Sequence, residues 1–384
     1  MNKKFKIAIV ALLAGVLIAG CEGGFDFGAE QFRNEISLLR NATSVGISIF
    51  DRQIARLSED GDVVNIVAGI SGTNSPTTPM RVTIAHSETV WEYDPLLGTY
   101  VWARDPVTGE FIHVSAFDRY NQARFGEQLH RNANLLPSDR FTIRSMTGYI
   151  NPGSFQHRFP VELTNLEGLS PDSVYFINVR IVPEESDAFN PNFQEILFRV
   201  HWENEIASTR AATNFTFASS TIVNSATGVV TRPTTAVRMF PLSETKTRMA
   251  AGNLSIPTLP IAGGAVNVNY AQQVAERSMV VEIGEPTVGN PNARHITIRP
   301  FVDEGFIPNP EWPNVDNFNP VWIEQLPPYG HFDNTFVLTT TTTPDGRISH
   351  FREFRMHYRF RQGTGAEHVV QAILRQEWNP RLGL

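Results

Sequence analysis

Phe354-Arg-Met-His-Tyr-Arg-Phe-Arg361 is the stretch of this sequence that decides the fold. Its apolar side chains alternate with basic ones over eight residues. An alternation of period two is typical of a β-strand with one buried and one solvated face, as in antiparallel sheets. The basic side chains, which would share the solvated face, are Arg355, His357, Arg359 and Arg361.

This basic row has two interpretations. Guanidinium groups match the oxygens of sulfate and carboxylate, so the row would suit sulfated or uronic-acid glycans. A row of charged side chains also keeps a solvated sheet face soluble without binding anything. We favour this second, simpler interpretation from the sequence.

The same alternation recurs along the chain. Between Tyr175 and Ile181 the odd positions are apolar and predict a buried face, while Asn178 and Arg180 occupy the other face. Similar runs occur at Arg81–Ile84, Arg140–Ile143, Ser278–Ile283 and His295–Phe301. Turn residues separate them, and short helices are predicted only at Phe117–Phe125 and Tyr270–Arg277. We therefore predict an all-β chain with two antiparallel β-sandwich domains, the first of them Ig-like or adhesin-like.

The first 21 residues predict export and lipidation. Lysines precede an apolar run from Ile7 to Ile18, and small residues precede Cys21, the only cysteine. This order is that of a secretory signal peptide over residues 1–20, with an apolar run too short to span a membrane. Leu17-Ile-Ala-Gly-Cys21 reads as a bacterial lipobox, so Cys21 would carry diacylglycerol and a further acyl chain such as palmitate. Several acyl chains anchor a protein stably where a single chain binds only marginally.

The predicted mature chain begins at Cys21. Residues 21–34 begin Gly-rich and acidic, which predicts a flexible tether between lipid and fold. The remaining length predicts two domains, each able to bury its own core. We place the boundary at the polar stretch that begins with Ala211, giving a β-sandwich at 35–210 and a ligand-binding β-sandwich at 211–384.

Charge and motifs disfavour several functions. Loss of the three signal-peptide lysines lowers Lys plus Arg from 32 to 29 against 39 acidic residues, a net charge of about −10. Such a balance disfavours nucleic acid and anionic lipid surfaces as partners. The ten histidines lack metal-ligand spacing, and no Walker loop, nucleophile elbow or paired-histidine zinc motif occurs. We therefore predict no metal, no cofactor and no catalytic set.

Aromatic and proline residues are concentrated between Phe301 and Phe336. The segment shows little regular pattern, and proline lowers the entropy lost on ordering such a loop, so its rings are held ready for a ligand. A flat aromatic face suits the C–H face of a pyranose, while nearby amides and carboxylates bond its hydroxyls. The predicted glycan platform is Trp312, Phe318, Trp322 and Tyr329, with Asn314, Asp316 and Asn317 as its polar partners. The alternative is that these rings pack as a satellite core; a second cluster, at Trp91, Tyr93, Tyr100 and Trp102, is a weaker candidate.

Several motifs follow one another in the order Ala68-Gly-Ile-Ser-Gly-Thr-Asn74, Tyr120-Asn121, Leu135-Leu-Pro-Ser-Asp-Arg-Phe141, Leu169-Ser-Pro-Asp-Ser-Val-Tyr-Phe-Ile177, Thr231–Asn253 and His368–Leu374. Together they resemble a family of Bacteroidota surface lipoproteins from polysaccharide-utilisation loci, with an N-terminal β-sandwich domain and a companion C-terminal β domain. The resemblance implies an outer-membrane lipoprotein facing the cell exterior. Such a protein would capture polysaccharide or oligosaccharide for a neighbouring outer-membrane transporter. The resemblance supplies no site residues.

Three functions from different classes are compatible with these observations. We prefer a non-catalytic glycan-binding lipoprotein that works through exposed aromatic residues. A structural or adhesive surface protein of fimbrial type would instead present an uncovered sheet edge. A polysaccharide-degrading enzyme would require carboxylates that converge in a groove.

Overall fold

The computed structural model describes residues 34–379 apart from positions 45, 73, 87–91, 95–98, 102, 105–110, 113–115, 119, 121–132, 257–269, 305–314 and 343. The predicted signal peptide and Cys21 lie outside the described residues, as does most of the helix predicted at Phe117–Phe125. Among the described residues, no helix combines the length and the apolar character needed to cross a membrane.

The first domain contains strands β1–β17. Their bounds are β1 Ile36–Leu38, β2 Ala42–Ser44, β3 Ile47–Phe50, β4 Ala55–Arg56, β5 Asp62–Ile70, β6 Met80–His86, β7 Glu92–Asp94, β8 Thr99–Val101, β9 Ala103–Arg104, β10 Phe111–Ile112, β11 Ala133–Leu135, β12 Phe141–Ile143, β13 Thr147–Ile150, β14 Gln156–Leu163, β15 Val174–Ile181, β16 Glu195–Val200 and β17 Trp202–Glu203. Short 3₁₀ turns span Ser138–Arg140, Pro183–Glu185 and Pro191–Phe193.

Two sheets of this domain face each other. One has the order β1-β5-β14-β12, and the other has the order β13-β6-β15-β16-β3-β2 with β11 beside β15. Alternate residues of β5, such as Val64 and Ile66, pack against alternate residues of β15, such as Ile177 and Val179, in one continuous core. Because each sheet buries one side-chain row against the other sheet, the domain is a β-sandwich, as predicted.

The second face of β15 is also covered, which the sequence did not predict. Asn178 is fully buried, and its amide donates a hydrogen bond to Glu195 Oε1 over 3.0 Å. Ala116 and Ala133 pack with Phe176 and Leu197 in a second, smaller core on this side. The expectation that Asn178 lies on an exposed face was therefore wrong, because segments distant in sequence cover it.

The second domain contains ten strands and one helix among the described residues. Their bounds are β18 Thr213–Asn224, β19 Val230–Thr231, β20 Val237–Pro241, β21 Lys246–Ala250, α1 Tyr270–Arg277, β22 Ser278–Thr287, β23 Asn290–Pro300, β24 Val321–Gln325, β25 Thr335–Thr342, β26 Ile348–Gln362 and β27 His368–Trp378. The helix α1 has the bounds predicted from the sequence. Short 3₁₀ turns span Phe301–Glu304 and Val315–Asn317.

A single sheet of this domain closes on itself. Its path runs β18-β20-β21-β22-β23-β25-β26, and β27 then pairs with both β26 and β18 to complete the ring. β24 pairs with the last part of β26, beyond the point where β25 stops pairing. The all-β prediction is confirmed, and the core of this domain lies between opposite strands of one continuous sheet.

β26 supplies the centre of that core. Phe354, Met356, Tyr358 and Phe360 are all buried inside the ring, as the alternation predicted. The backbone N–H of Gly252 donates to the Tyr358 hydroxyl over 2.8 Å, which satisfies a polar group that is otherwise fully buried. A Cβ at Gly252 would lie 2.2 Å from the Phe360 ring, so only glycine fits this approach.

A buried ion pair joins the two domains. Arg248 on β21 donates two hydrogen bonds, of 2.6 and 2.8 Å, to the carboxylate of Asp172, which precedes β15. The two side chains are only 1% and 8% exposed, and the Tyr270 hydroxyl donates a third bond of 2.8 Å to Asp172. Burial alone would raise the pKa of Asp172, but the charge of Arg248 and the donated hydrogen bonds outweigh it, so the pKa lies below its ordinary value.

Replacing Asp172 with Asn should destabilise the protein strongly and in a pH-dependent way. Removing one partner of a buried pair costs about 3–5 kcal/mol, since the other charge stays buried without compensation. Because the pKa of Asp172 is lowered on folding, its contribution is present above the ordinary carboxyl pKa and is lost as the pH falls through the lower, folded value. Urea unfolding at pH 7 and at about pH 3 should therefore show a larger difference between wild type and D172N at pH 7.

The matched control is Asp139→Asn, because the Asp139 side chain is 75% exposed and lies 3.7 Å from Arg140, beyond hydrogen-bonding distance. This control should change the free energy of unfolding by about 0.5 kcal/mol or less at both pH values. An equal loss for D172N at both pH values would contradict a role for the ionised carboxylate.

Candidate functional site: an aromatic and basic face of the closed sheet

β24 places one of the predicted aromatic residues on the outside of the sheet. Val321 and Ile323 are buried, while Trp322 and Glu324 alternate with them and point outward. The amide of Gln325 bridges to β23, because it donates to the Ile296 carbonyl and accepts from the Ile298 N–H. The segment that was expected to lack regular structure thus contains a strand, held on one side by β26 and on the other by a side chain.

The Trp322 ring lies beside two members of the basic row. In the strand register Trp322 faces Arg361 and Glu324 faces Arg359. The Cζ atoms of Arg359 and Arg361 are each 5.4 Å from the Trp322 ring centroid, within the range of cation–π attraction. The side chain remains 37% exposed, so part of the ring is accessible to a ligand.

Tyr329 stands at the other end of the same row. It is 61% exposed, and its ring centroid is 5.6 Å from that of His357. Its turn is closed by two backbone hydrogen bonds of 3.0 Å between Tyr329 and Phe332. Asn334 ties the loop to β26, because its amide donates to the Leu326 carbonyl and its side-chain oxygen accepts from the His357 N–H.

The two exposed rings are held at a fixed spacing. Trp322 pairs with Arg361 and Tyr329 contacts His357, four residues along the same strand. At the usual rise of a β-strand this places the two sites about 13 Å apart along β26. We refer to the surface formed by Trp322, Tyr329 and the outward basic row of β26 as the Trp322 face.

Most of the basic row is already paired with carboxylates. Arg359 donates to Glu324 over 2.5 and 2.9 Å, and this hydrogen bonding raises the pKa of its guanidinium. Arg355 and Arg375 both contact Glu353, at 3.2 and 2.6 Å. The row is therefore a lattice of ion pairs rather than a uniformly cationic stripe.

Arg361 is the exception in this lattice. Its nearest carboxylate is that of Glu367 at 3.8 Å, beyond hydrogen-bonding distance, and within the described part of the chain it makes no hydrogen bond. Its guanidinium is 42% exposed next to the Trp322 ring. Donors of hydrogen bonds are thus available at the edge of an aromatic surface.

The structure places the other predicted residues as follows. Trp312 and Asn314 lie outside the described residues, as do the side chains of the second cluster at Trp91–Trp102. Phe318 is half-buried, while Asp316 and Asn317 are exposed on the 3₁₀ turn that precedes β24. Asn319 follows this turn and its amide packs against Gly363, just beyond the end of β26, so the turn lies at the Trp322 end of the face.

Sequence reasoning treated the basic row and the aromatic segment as separate candidates. The structure brings them together, because β24 pairs directly with the part of β26 that carries Arg359 and Arg361. The five-residue alternation in Val321–Gln325 was the available signal for this pairing, but it is too short to be recognised as a strand among so many prolines.

Fold and surface together define a two-domain all-β protein, a β-sandwich followed by a closed sheet that carries an exposed aromatic face. A family model described only as a "-like, N-terminal domain" matches residues 106–188. No curated protein matches the chain significantly in sequence.

Solved structures share this architecture. A protein of unknown function from Bacteroides ovatus has a TM-score of 0.53 and 12% identity, covering 91% of this chain and 94% of that one. A multidomain protein including DUF1735, also from Bacteroides ovatus, has a TM-score of 0.50 and 12% identity, covering 89% and 94%. These similarities concern the fold alone, and their source is consistent with the resemblance to Bacteroidota proteins.

Truncation of Trp322 should leave the fold stable, because its ring lies on the outer face of the sheet. We expect Trp322→Ala to lower the free energy of unfolding by about 1 kcal/mol or less. Trp202→Ala is the contrasting variant, since Trp202 is 1% exposed in the core of the first domain and its loss should cost about 3–5 kcal/mol. Chemical denaturation measures both values, and a cost for Trp322→Ala as large as that for Trp202→Ala would show that Trp322 is a packing residue.

Proposed function

We propose that this protein is a non-catalytic lipoprotein of the outer cell surface that binds glycans and aids their uptake through an outer-membrane transporter. The observation that carries the proposal is the pair of exposed rings, Trp322 and Tyr329, on one rigid face of the second domain. The alternative is a structural or adhesive surface protein, whose binding would not depend on these rings.

The composition of the Trp322 face suits a carbohydrate. Aromatic rings bury the apolar C–H face of a sugar, while polar side chains around them bond its hydroxyls. The Trp322 face continues across β27 and β18. In the strand register, His357 of β26 pairs with Gln371 of β27, and Gln371 pairs with Thr221 of β18. Side chains paired in register lie on the same side of a sheet, so these polar groups extend the face sideways from the aromatic residues.

Preorganisation favours binding by this face. Trp322 is fixed by a strand, and the Tyr329 turn is fixed by Asn334 and by two backbone hydrogen bonds. Binding of a ligand therefore does not require the Tyr329 loop to become ordered, and the entropy loss of such ordering is a major cost of association.

The carboxylates of this face support binding rather than hydrolysis. Glycoside hydrolysis requires two carboxyl groups that are free to reach the scissile bond from opposite sides. Glu324, Glu353 and Glu367 are instead engaged with arginines of the row. We therefore propose a binding protein without hydrolytic activity.

The lipid anchor is the second part of the proposal. Acylation at Cys21 would hold many copies of the protein at the cell surface. Several such copies on one polysaccharide raise the effective concentration of binding sites, so weak single contacts suffice for capture.

Loss of either ring should weaken glycan binding. We expect Trp322→Ala and Tyr329→Ala each to reduce affinity about tenfold, which corresponds to about 1.4 kcal/mol. The measurement is affinity electrophoresis of the mature chain in gels that contain single polysaccharides. Tyr149→Ala is the matched control, because Tyr149 is 50% exposed on the first domain, and it should migrate like wild type.

Two results would contradict this function. Failure of every polysaccharide to retard the wild-type protein would favour the structural or adhesive alternative. Release of shortened products from a retarding polysaccharide would instead favour the enzyme.

The location of the site is tested separately. Retention of full affinity by the Trp322→Ala, Tyr329→Ala double variant would place glycan binding elsewhere on the molecule.

Cys21→Ser should abolish lipid attachment, since Cys21 is the only thiol in the chain. In a Bacteroidota host, the variant should no longer incorporate labelled palmitate and should leave the detergent phase on Triton X-114 partitioning. Glu22→Gln keeps the thiol and should behave like wild type. Palmitate incorporation by Cys21→Ser would refute the lipobox interpretation.

A further inference from the structure

A cavity of about 450 Å³ lies between the two domains. The first domain contributes Ser58 and its neighbours, and the segment that connects the domains contributes Glu203–Glu205. The second domain contributes Ile283, Arg294 and Arg352. Clefts between domains with volumes of this size are common sites for small ligands.

The second-domain residues belong to the inside of the closed sheet. Arg352 is two residues from the buried Phe354 on β26, and Arg294 is two residues from the buried Ile296 on β23. Side chains two residues apart point to the same face of a strand. Arg294 and Arg352 therefore cap the apolar core at the end of the ring that meets the first domain, whereas the Trp322 face is on the outside.

Arg352 is a buried cation that makes no direct ion pair among the described residues. It is only 6% exposed, and in the described part of the chain no carboxylate lies within ion-pair distance and its buried Nε has no hydrogen-bond partner. Its Cζ lies 4.7 Å from the centroid of the Trp378 ring, which holds the side chain in place. Burial lowers its pKa, while the more distant Glu205 and Glu203 act in the opposite direction.

The other two arginines of the cavity are not both buried and without a direct ion pair. Arg294 donates to Glu205 in an ion pair across the domain junction, and Arg56 is exposed at the rim. A buried charge without an opposite charge beside it is unfavourable. An anionic ligand in the cavity would supply that opposite charge. Among the described residues, Arg352 is thus the buried arginine of the cavity that has no carboxylate within ion-pair distance.

The other residues that line the cavity indicate what kind of ligand would bring an anion to Arg352. A guanidinium fork binds a carboxylate through two parallel hydrogen bonds. Glu203 and Glu244 supply carboxylate acceptors, and Glu203 Oε2 is buried without a hydrogen-bond partner. Carboxylate acceptors repel a second acid group but accept hydrogen bonds from hydroxyls. The lining therefore combines one site for a carboxylate with several sites for hydroxyls.

We propose that this cavity binds a carboxylated sugar, a uronic acid as a monosaccharide or at the end of a short chain, with its carboxylate on Arg352. The site is distinct from the Trp322 face and does not depend on it. The protein would then hold a polymer on the outside of the closed sheet and an acidic sugar between its domains.

The test compares glucuronate with glucose and sulfate by calorimetric titration and thermal shift on the mature chain. Glucuronate should bind and raise the Tm, while glucose and sulfate should bind at least tenfold more weakly. Arg352→Met should lose the glucuronate response and, because it removes an uncompensated buried charge, should melt no lower than wild type. Arg352→Lys keeps the charge but lacks the planar fork, and it should bind glucuronate at least tenfold more weakly.

Two controls separate this site from other effects. Arg347→Gln changes an arginine that is 68% exposed on the adjoining β25–β26 turn and should leave glucuronate binding unchanged. Trp322→Ala should also leave glucuronate binding unchanged. A result against glycan binding by the Trp322 face can therefore be told apart from a result against ligand binding in the cavity. Equal responses to glucuronate, glucose and sulfate, or undiminished binding by both Arg352 variants, would overturn the proposal.

Discussion

The alternation of side chains along β26 is the constraint on which the second domain depends. One row, from Phe354 to Phe360, fills the inside of the closed sheet, and the other row is forced to the outside because the side-chain period of a strand is two. A shift of register by a single residue would exchange the two rows and bury four basic groups. The core and the Trp322 face are therefore two consequences of the same eight residues.

The same strand also separates two kinds of arginine. Outside the ring, Arg355 pairs with the buried Glu353, and Arg359 pairs with the solvent-accessible Glu324. Inside, at the end of the apolar row, Arg352 is buried beside Trp378, and no carboxylate of the described residues is in contact with it. A solvent-accessible ion pair contributes little to stability, whereas a buried cation without a direct partner is costly.

The sequence was sufficient for those features that depend on local periodicity. The strand at Phe354–Phe360 and the helix at Tyr270–Arg277 follow from patterns visible within eight residues. It was insufficient where distant segments meet. The burial of Asn178, which depends on Glu195 and a segment near Ala116, has no local signal. The pairing of Trp322 with Arg361 has only a five-residue alternation as its signal, and nothing local places Arg352 at the domain junction.

The ion pair between Asp172 and Arg248, with Tyr270, has a mechanical consequence. Three hydrogen bonds reach one buried carboxylate at this junction, and a bend that opened it would break them and separate the two charges. The ion pair therefore opposes a hinge motion between the two domains. In the proposed function, tension on a bound polymer would pass through this junction on its way to the lipid anchor.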